Sequence, residues 1–328
     1  MNAATSLAAR VEQYLAERRR LGFELESMGY ALHSLVEHVR TSRHRGALTM
    51  ELMAAWARQA RQGPGDNATW ARRLRSLRPF TRWLQHFEPA TAVPEEQIFG
   101  AIPARMAPHI YRDEEIAALV DAAGRIGPPL SPRGAVMQTL FGLLACTGMR
   151  LSEALALTDA DIDLKAELLT IRRSKFGKSR LVPLHPSAAA ALKRYRAERD
   201  RYVASTPETP LFIGCRGKRL GQPFGDHQVD RIFDQLRRQL GWVNRGSHGV
   251  PRLHDLRHTF AVKRLLQWHA QGADVHQRML ALSTYLGHAK VSNTYWYLSG
   301  VPELMHIVGR RFEQFVDPWE GGGEDDDE

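Results

Sequence analysis

The chain has 328 residues, enough for two domains with separate cores, and its 43% hydrophobic content is ordinary for a globular protein. The formal net charge of +9 understates the body of the molecule: Glu320, Glu324, Asp325, Asp326, Asp327 and Glu328 crowd the C-terminus, and residues 1–319 carry +15 without them. Two cysteines exclude a disulfide scaffold, no segment has the length and apolarity of a membrane span, and the opening stretch MNAATSLAARVEQYL lacks the apolar core of a signal peptide. A basic body points to a polyanion partner, of which nucleic acid is the commonest, and a cytoplasmic location is expected, with no membrane partner.

Residues 1–87 read as four helices. Leu7, Val11 and Leu15 recur at helical spacing, and so do Leu25, Met28, Leu32, Leu35, Val36 and Val39. Thr49, followed by Glu51 and Leu52, starts a third helix, and Asn67 or Thr69 caps a fourth. In that fourth segment, Trp70, Leu74, Leu77 and Leu84 gather on one side, while Arg72, Arg75, Arg78 and Arg82 gather opposite, and Pro79 predicts a kink. An arginine stripe alone is a solvated face. Beside the residues described next, it reads as a phosphate-contacting face.

Residues 88–110 contain four prolines in EPATAVPEEQIFGAIPARMAP and read as a linker. A second domain over 111–316 opens with Asp113, Glu114 and Glu115 in a helical first turn. Cys146 ends the apolar run FGLLAC and is expected as a buried, free thiol. Leu168–Arg172 and Arg180–Leu184 read as two strands around the turn SKFGK, and helices are expected near 186–202, 226–240, 253–268 and 275–286. A last helix from Pro302 would gather Val301, Leu304, Met305, Val308, Phe312 and Phe315 on one face, to pack in cis or in trans. The tail, 317–328, is expected to be disordered. The fold class is therefore mainly α with a small β-sheet, an α+β arrangement.

Four runs in this second domain carry chemistry: CTGMRLSEAL, RRSKFGKSRLVPL, LHDLRHTF and YLGHAKVSNTYWYL. Attack of a tyrosine on a phosphodiester needs an acceptor for the phenolic proton, fixed donors for two non-bridging oxygens and an acid for the leaving 5′-oxygen. Arg150 and Arg257 suit the donors, because a guanidinium fork stays charged and matches two phosphate oxygens. Lys175, on a turn, can protonate the leaving oxygen. His254 lies three residues before Arg257, hence on the same helical face, and can accept the phenolic proton or hold the phosphate. His288 adds a donor, and Glu153, one turn after Arg150, can orient that arginine. Lys178 and Arg180 are expected to touch DNA phosphates. Each run alone is weak, since an HxxR or a late tyrosine arises often by chance. Their conjunction in order carries the argument.

This ordered set resembles the tyrosine recombinase, or phage integrase, family over roughly residues 111–300. The boxes CTGMRLSEAL and HDLRHTFA, and LGH followed by a tyrosine nine residues after the histidine, are similar to the family's own. The resemblance implies activation by Arg150, Lys175, His254, Arg257 and His288, with Tyr297 as nucleophile. Tyr295 competes with it, and Lys178 competes with Lys175. It further implies an N-terminal SAM-like core-binding domain that clamps DNA. The expected reaction is a covalent 3′-phosphotyrosyl mechanism with no cofactor, no metal and no ATP. The expected assembly is a homo-oligomer, a tetramer on two synapsed sites of double-stranded DNA, with accessory recombination proteins as further partners. The runs TYWYLSGVPELM and YLAERRRLGF resemble transposon-borne members, which implies integration, excision or transposition of a mobile element. The alternatives are a type IB topoisomerase and a non-catalytic DNA-binding accessory protein.

Overall fold

The structure is a computed structural model and describes residues 6–60, 66–95, 98–100, 105–128, 130–174, 178–300 and Met305. The chain forms two compact units, residues 1–104 and 105–328.

The first unit is helical: α1 (Leu7–Arg20), α2 (Glu26–Thr41), α3 (Met50–Arg58), α4 (Asp66–Ser76) and α5 (Arg78–Leu84). Ser6 starts α1 by accepting from the Ala9 amide, and Thr49 starts α3 by accepting from Leu52, as its position predicts. The expected kinked fourth helix is two helices, α4 and α5, with Pro79 in the first turn of α5, where its missing N–H costs nothing. Leu74, Leu77, Phe80 and Leu84 enter a core with Val11, Leu15, Leu32, Leu35, Met53 and Trp56. Arg72, Arg75 and Arg82 are exposed and Arg78 is half-buried, so the arginine stripe faces away from that core. Much of the expected linker is packed rather than free. The Ala92 amide bonds to the Leu48 carbonyl, and Ile98 and Phe99 lie against the first core.

The second unit contains α6 (Asp113–Gly124), α7 (Arg133–Thr147), α8 (Leu151–Leu155), β1 (Ile162–Asp163), β2 (Leu168–Ser174), β3 (Lys178–Pro183), α9 (Pro186–Arg199), α10 (Asp226–Leu240), α11 (Asp255–Ala270), α12 (Val275–Leu286) and α13 (Ser292–Gly300). The sheet is antiparallel in the order β1-β2-β3, with Leu169 opposite Ile162 on one side and Val182 on the other. The two-residue strand β1 is too short to show a period in sequence. Two apolar cores fill the unit, one between α6, α7, the sheet, α9 and α10, the other between α11, α12 and α13.

Cys146 corrects an expectation. It is exposed, because α7 buries Leu140, Phe141, Leu143 and Leu144 while turning Gly142 and Cys146, four positions apart, outward. It is a free thiol, as is Cys215. Lys175, the residues of the apolar run after Gly300 other than Met305, and the acidic tail lie outside the described residues. Among the described residues no helix is long and apolar enough to cross a membrane.

Candidate active site

The site forms where four helix ends meet. Helix α7 stops at Gly148, whose φ of +62° is left-handed and whose position leaves no room for a side chain: a Cβ there would sit 2.6 Å from the Phe260 ring. Two residues on, Arg150 is the N-cap of α8, and the Glu153 carboxylate accepts from the Arg150 backbone amide at 2.9 Å. Helix α12 ends at Gly287, again left-handed at φ +66°. His254 directly precedes α11, so Arg257 lies in the first turn of that helix.

The α12 terminus organises the cluster. Its last carbonyls lack intrahelical partners, and three guanidiniums from three other elements satisfy them. Arg180 of β3 donates through Nε to Tyr285 at 2.7 Å, Arg257 donates to Leu286 at 2.6 Å, and Arg150 donates to Gly287 at 3.0 Å. Positive charge there also complements the negative end of the helix dipole. Arg257 further donates to the Gly148 carbonyl at 2.8 Å, which ties the α7 terminus to the same point. Glu153, buried, accepts from Arg150 at 2.6 Å and from both Nη atoms of Arg180, at 3.0 and 2.7 Å. Burial pushes the Glu153 carboxyl up, but the hydrogen bonds from Arg180 and Arg150 outweigh it and hold the pKa at about 2.

Arg180, expected to touch a DNA phosphate, is turned inward here. Its guanidinium donates to Glu153 and Tyr285 and its side chain is only 9% exposed, so in the free protein it positions Glu153 and the α12 terminus. Lys178 pairs with Ser174 across the β2–β3 register. Arg150 and Arg257 keep free donors, since each guanidinium has five N–H groups and spends only some of them on its partners.

His288, just past Gly287, is held by a 2.7 Å contact between its Nδ1 and the Thr294 hydroxyl. Burial, with Arg257 and Arg150 nearby, lowers its pKa to about 3. His254 sits at the exposed rim, yet the protein atoms crowding it, followed by Arg257 and Arg252, lower its pKa to about 4. Burial first and Arg150 second bring even Arg257 down to about 10. These are the marks of a site crowded with cations and short of anions, which a phosphate would relieve.

The two tyrosines part company on α13. Tyr295 is 39% exposed and lies beside the His276 ring, whereas Tyr297 is fully buried in the core of α11, α12 and α13. The Tyr297 hydroxyl meets Nδ1 of His258 at 2.8 Å. Burial raises the phenol's pKa, opposed by Arg257, Arg105 and Arg150. His258, which touches this hydroxyl, is a residue that the HxxR spacing passes over. The signal for it was the histidine directly after Arg257, one turn beyond His254.

Residues 110–301 match the phage integrase family. An integrase/recombinase of Sinorhizobium fredii, y4rB, is 40% identical over 312 residues, covering 93% of this chain and 96% of its own. The tyrosine recombinase XerC of Chromobacterium violaceum is 32% identical over 285 residues, 87% of either chain. Among solved structures, XerH site-specific recombinase bound to palindromic difH substrate superposes with a TM-score of 0.61 at 20% identity, over 97% of this chain and 86% of that one. The Tn1549 transposon integrase in complex with transposon right end DNA gives 0.62 at 13% identity, over 94% and 100%. The fold and these relatives define a tyrosine-type site-specific DNA recombinase. The chain belongs to the phage integrase family.

Proposed function

We propose that the protein cuts and rejoins DNA through a covalent 3′-phosphotyrosyl intermediate on Tyr297, with neither metal nor ATP, to integrate, excise or transpose a mobile element. The observation that carries this reading is the α12 terminus, where Arg150 and Arg257 are fixed by backbone carbonyls with donors to spare beside a buried tyrosine. In the cleavage step the phenolic oxygen bonds to phosphorus, the bond to the 5′-oxygen breaks, and Lys175 protonates that oxygen. The phenolic proton passes to a histidine nitrogen. Fixed guanidiniums meet the charge that builds on the non-bridging oxygens, so little reorganisation is needed during the reaction. The phosphotyrosyl bond conserves the energy of the cut bond for rejoining.

The exposed arginines Arg72, Arg75 and Arg82 and the half-buried Arg78 fit backbone-phosphate contacts by the first unit. An identity of 40% to an integrase/recombinase over 93% of this chain supports the mobile-element role, and a tetramer on two synapsed double-stranded sites is the assembly proposed. A nicked suicide substrate made from the ends of the parent element tests the reading. Wild type and Tyr295→Phe are expected to give a covalent protein–DNA band on denaturing gels, and Tyr297→Phe none. A band lost in Tyr295→Phe but kept in Tyr297→Phe would refute the assignment of the nucleophile. No band from wild type, on DNA that it binds, would favour a non-catalytic accessory role.

A further inference from the structure

Away from the cleavage cluster, four guanidiniums surround one hollow that no carboxylate lines. Arg133 opens α7, Arg216 and Arg219 lie on the turn after Cys215, and Arg231 lies on α10. They line a cavity of 270 Å³ against the buried Phe224 and Ile232. Arg216, Arg219 and Arg231 are exposed, and none of the four guanidiniums has an ion pair or hydrogen bond among the described residues. The acids of α10 are engaged or turned away: Asp234 pairs with Arg237 and Arg238, and Asp230 lines a different hollow with His254 and Arg257. Nε of Arg133 is buried and has no hydrogen-bond partner among the described residues. A merely solvated arginine would keep that donor in water. Like charges gathered around a buried, unsatisfied donor call for an anion.

The turn holds its two arginines in place. The Gly214 amide donates to the Gln222 carbonyl at 2.7 Å and the Gly221 amide to the Gly214 carbonyl at 3.2 Å, which closes the neck. Inside it, the Arg219 amide donates to the Arg216 carbonyl at 3.0 Å. Helix α10 stands between this hollow and the cleavage cluster. At about 100° per residue, Gln228, Arg231, Ile232 and Gln235 gather on the side of the arginine hollow, while Asp230, roughly 150° from their centre, lies beside His254 and Arg257.

From this arrangement we infer that Arg133, Arg216, Arg219 and Arg231 form a second phosphate site, which takes a backbone phosphate of the uncleaved strand while α10 lies in the major groove. The inference rests on the reading of Arg150 and Arg257 as the holders of the cleaved phosphate. A helix with its side chains is about 10–12 Å across, and the major groove of B-DNA is about 12 Å wide between its phosphate walls. With the cleaved phosphate on one side of α10, phosphates of the other strand fall on the far side, where the four arginines stand. Guanidinium forks match phosphate oxygens, and the exposed Gln228 and Gln235 amides can donate beside them. The hollow, at 270 Å³, is smaller than the roughly 300–1,000 Å³ that encloses a small-molecule ligand, so it suits one phosphate of a longer chain. Gripping both walls of the groove fixes the rotation of the duplex, and so sets which phosphate meets the cleavage cluster.

The test uses full-length wild type, Arg133→Gln, Arg231→Gln and the double variant Arg216→Gln/Arg219→Gln. Each binds duplexes from one end of the parent element that carry a single neutral methylphosphonate, and dissociation constants are measured by gel shift for every position on both strands. For wild type, neutralising one or two adjacent phosphates of the uncleaved strand is expected to weaken binding by about tenfold. At those positions the variants, already weaker, should lose less than about threefold more, whereas at all other positions they should lose as much as wild type. A variant that merely folds poorly or carries less charge would lose alike at every position. The slope of log K against log salt should also shrink by about 0.9 for each phosphate contact removed. The inference is overturned if no position depends on these arginines, or if dependence is confined to the cleaved strand. It is overturned equally if inorganic phosphate, at constant ionic strength, competes with wild type alone and no such position exists, since the site then takes a free anion. Adduct formation on the suicide substrate is read separately. An adduct without the positional dependence removes the second site alone, and the dependence without an adduct supports the site and removes the covalent reading.

Discussion

Glu153 is the residue on which the cationic cluster depends, because it is the carboxylate that both Arg150 and Arg180 grip. Replacing it with glutamine leaves Arg180, 9% exposed, without its counter-charge. Breaking one side of a buried pair costs about 3–5 kcal/mol, so Glu153→Gln should lower unfolding free energy by roughly that amount in urea titrations. Arg180→Ala should depress cleavage far more than DNA affinity, measured by gel shift. Equal losses in both would restore the role of phosphate contact that its sequence position suggested. His258 sets a pH limit: its folded pKa, about 2, lies below the ordinary value of 6.5, so the unfolded chain binds the extra proton as pH falls. Stability is fully present above about pH 6.5 and declines below it, by about 2 kcal/mol at pH 5 from this residue alone. Thermal unfolding across that window should show a falling Tm in wild type and a flatter profile in His258→Gln.

At the scale of elements, the site is made of helix ends, and ends are where a glycine can be indispensable. Gly148→Ala would force a side chain into a left-handed residue and onto Phe260, displacing the carbonyl that Arg257 holds. We expect a loss of at least about 1 kcal/mol in stability and a larger relative loss of cleavage. Equal thermal stability of the variant and wild type would show that α7 can end another way. Much of this level was legible in the sequence: the cap at Thr49, the acidic first turn from Asp113 to Glu115, the strands around the lysine turn, and helices α9 to α12 follow from spacing and end signals. The face of an all-apolar run was not legible, which is why Cys146 was expected inside. Nor could a basic residue in a strand reveal that its carboxylate lies 27 positions away, which is what Arg180 required. His258 was visible as a letter, but its partner comes from another helix 39 residues on.

For the whole molecule, charge governs how the two units meet a polyanion. Neutralising Arg72, Arg75 and Arg82 together should weaken binding across unrelated sequences. If all three touch phosphates, the slope of log K against log salt should shrink by about 0.9 per contact. An unchanged slope would return the stripe to the role of a solvated face. Deleting residues 320–328 removes six negative charges, and non-specific binding should tighten, most clearly at low salt. Binding that does not change would separate the tail from DNA recognition.

The three guanidinium contacts at the end of α12 have a consequence for how the protein is made. Arg150 reaches 137 residues along the chain to Gly287, and Arg180 reaches 105 to Tyr285. A ribosome working from the N-terminus releases both arginines long before the carbonyls that fix them, and the nucleophile follows later still, at Tyr297. Under the proposed function, a half-synthesised chain can already hold DNA through its first unit but has no assembled means to cut it. Strand breakage is thus withheld until translation of the second unit is nearly complete.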